Sequence, residues 1–247
     1  LITSVHFAEE NCMPGLVVIT GATRGIGRAL AERFSQAGHA LLLVSRHDNA
    51  GIGLPRAIYA AADVADYRAL SEVITQAEAV HGPVECLINN AGFLRIGAFQ
   101  DRDADDISYE VDVLLKGVLH GVRAVLPGMV SRRCGTIINI SSIGDRTPGP
   151  DGEVYHACKA AVRSLATSMQ KSQAGHNVRV INIAPGLIKT DIHAEMGISF
   201  EEYRQRLGNP SFIEAADFAD IVFYCWQVPA NICIRDLVVM PTDSSFA

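Results

Sequence analysis

The sequence predicts an α/β fold in which one doubly wound parallel sheet of about seven strands carries helices on both faces. Three observations lead there. Short apolar, β-rich runs alternate with helical patterns along nearly the whole chain, as strand–helix–strand crossovers require. A glycine-rich turn, Gly21-Ala-Thr-Arg-Gly25-Ile-Gly27, joins the first apolar run to the first helical pattern. Hydrophobic residues make up 49% of the 247 and mean hydropathy is +0.19, which suits strands buried on both faces.

Taken in order, Leu16 to Thr20 reads as the first strand, Ala29 to Ala37 as a helix ended by Gly38-His39, and Ala40 to Val44 as the second strand. Ala57 to Val64 is the third strand, Tyr67 to His81 a helix, and Val84 to Asn89 the fourth strand, running into Asn90-Ala91-Gly92. A long helix is expected over Asp103 to Leu126, closed by Pro127-Gly128, since proline removes a helix hydrogen bond. Thr136 to Ile140 is the fifth strand, followed by a helix from near Tyr155 to about Lys171. Asn177 to Ala184 is the sixth, closed by Pro185-Gly186. Residues 187–210 turn polar and aperiodic, with a helical pattern only at Phe200 to Leu207, and are expected to form a substrate lid. Phe212 to Trp226 is a final helix and Asp236 to Met240 a final strand. No linker or repeat divides residues 14–247, so a single domain is expected, with 1–13 as an extension and Met13 as a candidate start.

Charge is modest, at formal net −6 without a basic block, so neither nucleic acid nor an anionic membrane surface is an expected partner. No apolar run in the sequence approaches the ~18 residues of a membrane span. The first residues lack the basic and apolar regions of a signal peptide. Cys12, Cys86, Cys134, Cys158, Cys225 and Cys233 show no metal-ligand spacing and read as reduced thiols, mostly in the core. Together these features favour a cytoplasmic location, and no metal site is expected.

Tyr155 and Lys159 lie four residues apart and so share a helix face. An ammonium beside a phenol favours the phenolate, so the sequence predicts a lowered Tyr155 pKa and proton transfer near neutral pH. Upstream, the strand–glycine turn–helix arrangement offers backbone amides and a helix N-terminus to a phosphate. At the end of the second strand, where a carboxylate would select NAD, stand Ser45 and Arg46, with Arg24 in the glycine turn facing the same region. Guanidinium groups without a carboxylate argue for a 2′-phosphate, hence NADP(H).

Four signatures coincide in order and spacing: Thr20 to Gly27, Asn89 to Gly92, Ser142 with Tyr155 thirteen residues on and Lys159, and Pro185-Gly186 with Thr190. From about Pro14 onward the chain resembles the short-chain dehydrogenase/reductase superfamily, in its NADP-preferring branch, whose fold is Rossmann-type. The resemblance implies that Tyr155 is the general acid and base, that Lys159 holds the nicotinamide ribose and lowers the Tyr155 pKa, and that Ser142 binds the substrate oxygen. Ser141, pointing oppositely on the strand, takes a structural part. For NADP(H), it implies that Gly21, Thr23, Arg24, Gly25, Ile26 and Gly27 meet the phosphates and adenosine. Ser45 and Arg46 meet the 2′-phosphate, Asp63 and Val64 the adenine, and Asn90, Ala91 and Gly92 the ribose. Pro185, Gly186, Ile188 and Thr190 border the nicotinamide.

One position departs from the family pattern. In Val113-Leu114-Leu115-Lys116-Gly117, Leu114 stands where family members commonly have an active-site Asn, credited with ordering a helix kink and a water chain to the lysine. The expected activity is NADP(H)-dependent interconversion of a small carbonyl compound and its alcohol. Near the C-terminus, Val238 to Thr242 resemble the tail of the branch that oxidises serine and 3-hydroxy acids. Two alternatives stand beside it: a 3-oxoacyl-carrier-protein reductase, with Lys189, Arg204 and Arg206 as the basic docking groups, and an NADP-binding regulatory protein with little catalysis. The family implies a homodimer or homotetramer.

Overall fold

The structure, a computed structural model, describes residues 15–46, 53–190 and 198–244. Residues 1–13 and part of the expected lid, 191–197 with Ile192 and Met196, lie outside the described residues.

Seven parallel strands form one sheet in the order β3-β2-β1-β4-β5-β6-β9. They are β1 (Leu16–Thr20), β2 (Ala40–Ser45), β3 (Ala57–Ala61), β4 (Val84–Asn89), β5 (Gly135–Ile140), β6 (Val178–Pro185) and β9 (Asp236–Val239). All five residues of β1 are buried, as expected of a central strand with helices above and below. Alternate side chains serve opposite faces: Leu16 and Val18 enter one core, Val17 and Ile19 the other. The first core is covered by α2 (Tyr67–His81), α4 (Gly117–Arg132) and α5 (Glu153–Ser172). The second is covered by α1 (Gly25–Gln36) and α7 (Ala215–Gln227), where Phe34 meets Phe223 edge-on at 5.0 Å. The strand order reverses between β1 and β4, and that switch point opens a crevice at the strand C-termini.

Several boundaries differ from the sequence reading. The long helix does not stop at Pro127. It runs as α3 (Ala104–Val111), a π-helical segment (Asp112–Lys116) and α4, which contains Pro127 and ends where Arg133 turns left-handed (φ 53°). Proline removes the donor to the Arg123 carbonyl, but both residues face water, which can hydrate that carbonyl, so the break is tolerated. The third strand ends at Ala61, because Asp63 takes the Ala65 amide at 2.9 Å into a turn. The final helix starts at Ala215, since residues 213–214 are spent on a two-residue pairing of β7 (Ile188–Lys189) with β8 (Ile213–Glu214). Strands that short leave no periodic signal. In the lid region, α6 (Phe200–Arg206) begins where Ser199 caps it.

The 104–132 helix is long and apolar enough to cross a membrane, but 44% of its most apolar window is buried inside the protein. The buried part packs against the sheet and α2. Cys86, Cys158, Cys225 and Cys233 are free thiols.

Candidate active site

The sequence-derived site residues converge on one cleft of about 930 Å³ at the crevice mouth, lined by all nineteen candidate cofactor residues and Ser142. Leu114 is not on its surface.

At one end of the cleft the glycine turn is held by β4. Thr20 Oγ1 accepts the amides of Asn90 and Ala91 at 3.0 and 3.1 Å, while Asn90 Nδ2 donates to the carbonyls of Thr20 and Gly21. Asn90 is thus a clamp on the turn as well as part of the cleft wall. Gly21 has φ +66°, and a Cβ on Gly27 would stand 2.1 Å from the Gly21 carbonyl oxygen, so both positions exclude side chains. Asp66, Asp103 and Ser199 cap α2, α3 and α6, whereas α1 has Arg24 at its N-cap position with no side-chain cap bond and no acid in its first turn. Those amides and their positive dipole suit a phosphate. The residues present therefore fit a phosphorylated dinucleotide.

At the far end of the cleft lie Ser142, Tyr155 and Lys159. Ser142 leaves β5 in extended conformation and its hydroxyl accepts the Gly144 amide at 3.1 Å. The same hydroxyl lies near enough to Tyr155 to favour its ionised form. Lys159 is only 6% exposed. Its Nζ donates to the Ile140 carbonyl at 2.8 Å and stands 5.6 Å from the centre of the Tyr155 ring.

The expectation of a lowered Tyr155 pKa is overturned. Burial pushes the phenol up to about 12, and the opposing influence is the Ser142 hydroxyl, not the lysine. Burial also pulls Lys159 down to about 8. Tyr155 is half-buried in the cleft wall and Lys159 is buried behind it, and removal from water disfavours each charged form. The cluster is thus a phenol that keeps its proton at neutral pH beside an amine close to its titration point.

Leu114 is 1% exposed and packs with Val154, Cys158 and the Tyr155 ring. Its Cδ2 would stand 2.9 Å from a Cβ at Gly92, so the leucine presses against the backbone of the loop that follows β4. The π-helical turn forms around it nonetheless, with the Gly117 amide reaching back to the Asp112 carbonyl. Ser141 behaves as the strand alternation requires, donating to buried Asp145 at 2.8 Å.

Three features escaped the sequence reading. Tyr109, on α3, accepts from Arg46 Nη1 at 3.2 Å and donates to Asp63 Oδ2 at 2.7 Å. His156 lines the cleft beside Tyr155 with its ring edge-on at 5.6 Å, resting where a Gly144 side chain would collide with it. Met240 closes the wall and forbids a side chain on Gly186. The His156 signal was open, since it follows the tyrosine directly. The Tyr109 contacts span 46 and 63 residues and leave no local trace.

The family model for short chain dehydrogenases matches residues 15–198. The chain is 32% identical to sulfoacetaldehyde reductase 2 of Chromohalobacter salexigens, with 95% of this chain and 97% of that protein covered. It is 30% identical to the NADP-dependent 3-hydroxy acid dehydrogenase YdfG of Salmonella typhi, covering 94% and 97%. The solved closed form of serine dehydrogenase complexed with NADP+ superposes with a TM-score of 0.86 at 31% identity, covering 94% of this chain and 97% of that one. With the crevice, the glycine turn and the Ser–Tyr–Lys cluster in the expected places, the chain belongs to the short chain dehydrogenase family of oxidoreductases.

Proposed function

We propose that this enzyme interconverts a carbonyl group and an alcohol with NADP(H), on a small substrate that carries an acid group. The observation that carries the reaction type is the convergence of Ser142, Tyr155 and Lys159 at the end of the cleft opposite Arg46. The acid group is supported by three similar proteins whose names specify a sulfonated aldehyde, 3-hydroxy acids and serine. His156 and Lys159, the basic side chains on that end of the described cleft wall, are compatible with an anion.

NADPH, when bound, would supply the hydride; the glycine turn would hold its phosphates, Ser45 and Arg46 the 2′-phosphate, and Lys159 the ribose. Ser142 hydrogen-bonds the carbonyl oxygen, and Tyr155 protonates it as negative charge develops. With its pKa pushed up to about 12, Tyr155 holds its proton through the neutral range and is ready as an acid. In alcohol oxidation it must act as a base, and the phenolate grows with pH. Carbonyl reduction should therefore stay level up to the Lys159 pKa of about 8, while oxidation climbs through the alkaline range. Initial rates in both directions test this, and an oxidation rate flat in pH removes Tyr155 as the base.

The test of function is NADPH consumption across small aldehydes and ketones with and without carboxylate or sulfonate groups. Turnover confined to the acids is expected, and Tyr155→Phe should abolish it while NADPH still binds. Tight NADPH binding without turnover on any substrate favours the regulatory alternative. The acyl-carrier alternative has less support, because Lys189, Arg204 and Arg206 pair with Glu214, Glu201 and Glu202, leaving little uncompensated positive charge for an acidic carrier.

A further inference from the structure

We infer that Tyr109 is a positioning residue for coenzyme selection, a neutral strut that holds the Arg46 guanidinium apart from the Asp63 carboxylate and keeps both available to NADP(H). The inference rests on the reading of Arg46 as the 2′-phosphate ligand.

Arg46 and Asp63 follow adjacent strands, β2 and β3, whose last paired residues are Ser45 and Ala61. A guanidinium and a carboxylate at neighbouring strand ends would pair directly. Such a pair would take the cation that a 2′-phosphate needs and would cover the carboxylate edge on the adenine side. The structure instead places one hydroxyl between them. Tyr109 Oη accepts from Arg46 Nη1 at 3.2 Å and donates to Asp63 Oδ2 at 2.7 Å, while Asp63 Oδ1 is turned by the Ala65 amide at 2.9 Å. Only a protonated phenol can serve both neighbours. Burial, with the Asp63 hydrogen bond adding to it, raises the Tyr109 pKa above its ordinary value, against the smaller opposing effect of Arg46.

Tyr109 does not line the cleft, whereas Arg46, Asp63 and Phe93 do. Its ring stacks on Phe93 at 6.0 Å and 22°, and its helix is anchored by Asp103, which accepts the Asp105 and Asp106 amides. The phenol therefore acts through the two groups it spaces, from a rigid support behind the wall.

The experiment measures dissociation constants for NADPH and NADH by fluorescence titration, with thermal unfolding recorded alongside. Tyr109→Phe keeps the ring stack and removes the hydroxyl. It should weaken NADPH by about tenfold, the scale of a hydrogen bond to a charged group, and NADH by less than about twofold, with little change in melting temperature. Adding Asp63→Asn removes the competing carboxylate, so the double variant should recover the NADPH-to-NADH ratio even if both coenzymes bind less well. A ratio unchanged by Tyr109→Phe, equal weakening of both coenzymes, or no recovery in the double variant would overturn the inference. Arg46→Ala is measured in parallel. If it weakens NADPH and NADH equally, the reading of Arg46 has failed, and this is separable from a failure of Tyr109 alone.

Discussion

At the scale of single residues, Leu114 poses the sharpest chemical problem. A buried leucine stands where the sequence motif leads one to expect an asparagine, and Lys159 is left with one backbone partner, the Ile140 carbonyl. Leu114→Asn should raise turnover if reprotonation of Lys159 limits the rate, while costing about 1–3 kcal/mol of stability for a buried amide without assured partners. Denaturant unfolding and kcat, measured on one preparation, test both parts, and an unchanged kcat means that protons reach Lys159 by another route. The candidate catalytic residues themselves were legible because their identities and intervals are local: Ser142, Tyr155 and Lys159 are read directly from one stretch. Their protonation was not. The sequence suggested that lysine charge would dominate, whereas burial raises the phenol and lowers the amine. Spacing shows which groups meet, but not how much water remains around them.

Among the elements, the helix from Ala104 to Arg132 shows where local signals mislead. Pro127-Gly128 looks like a stop, yet α4 continues to Arg132 because its apolar positions, Val118, Val122, Val125 and Met129, remain in register with the core. Tertiary packing overrides the proline, whose missing hydrogen bond falls on the solvent side. Pro127→Ala should accordingly stabilise the protein, by less than the ~3 kcal/mol interior penalty because water already serves the freed carbonyl and the unfolded chain regains freedom. Equilibrium unfolding in urea measures it, and destabilisation would mean that the proline sets a required bend. The π-helical turn upstream was equally invisible. Gly117 permits it to sit close to the loop after β3, since a Cβ there would lie 2.6 Å from Val64 Cγ2, and His120 Nδ1 hydrogen-bonds the Val64 carbonyl at 2.8 Å. Strands and helices that repeat a period over five or more residues were recovered within a few positions. The two-residue pairing of β7 and β8 has no period to read.

Across the whole molecule, the C-terminal strand supports the candidate catalytic serine, Ser142, through a polar network. Arg146 bonds Asp145 at 2.6 Å and both oxygens of Asp236 at 3.0 and 2.9 Å; Asn182 Nδ2 reaches Asp145 and Asp236; Ser141 donates to Asp145. The end of β5, the middle of β6 and the start of β9 are thereby locked together one residue from Ser142. Burial opposes ionisation of Asp236, but the hydrogen bonds from Arg146 and Asn182 outweigh it and hold the carboxyl below its ordinary pKa. A depressed folded pKa means that the unfolded state takes up protons first as pH falls. The stabilisation is complete above the unfolded value of about 3.9 and declines as pH drops toward and through the folded pKa. Asp236→Asn should cost about 1 kcal/mol or less at pH 7, discounted for solvent because that side chain is 36% exposed. The difference from the unmodified protein should shrink below about pH 4. Because the network ends beside Ser142, the same variant should lower kcat at neutral pH more than it weakens NADPH binding. Melting curves from pH 3 to 8, with coenzyme titrations at pH 7, decide the matter: a stability gap independent of pH would assign the effect to packing rather than charge, and equal losses in turnover and coenzyme binding would uncouple β9 from the serine.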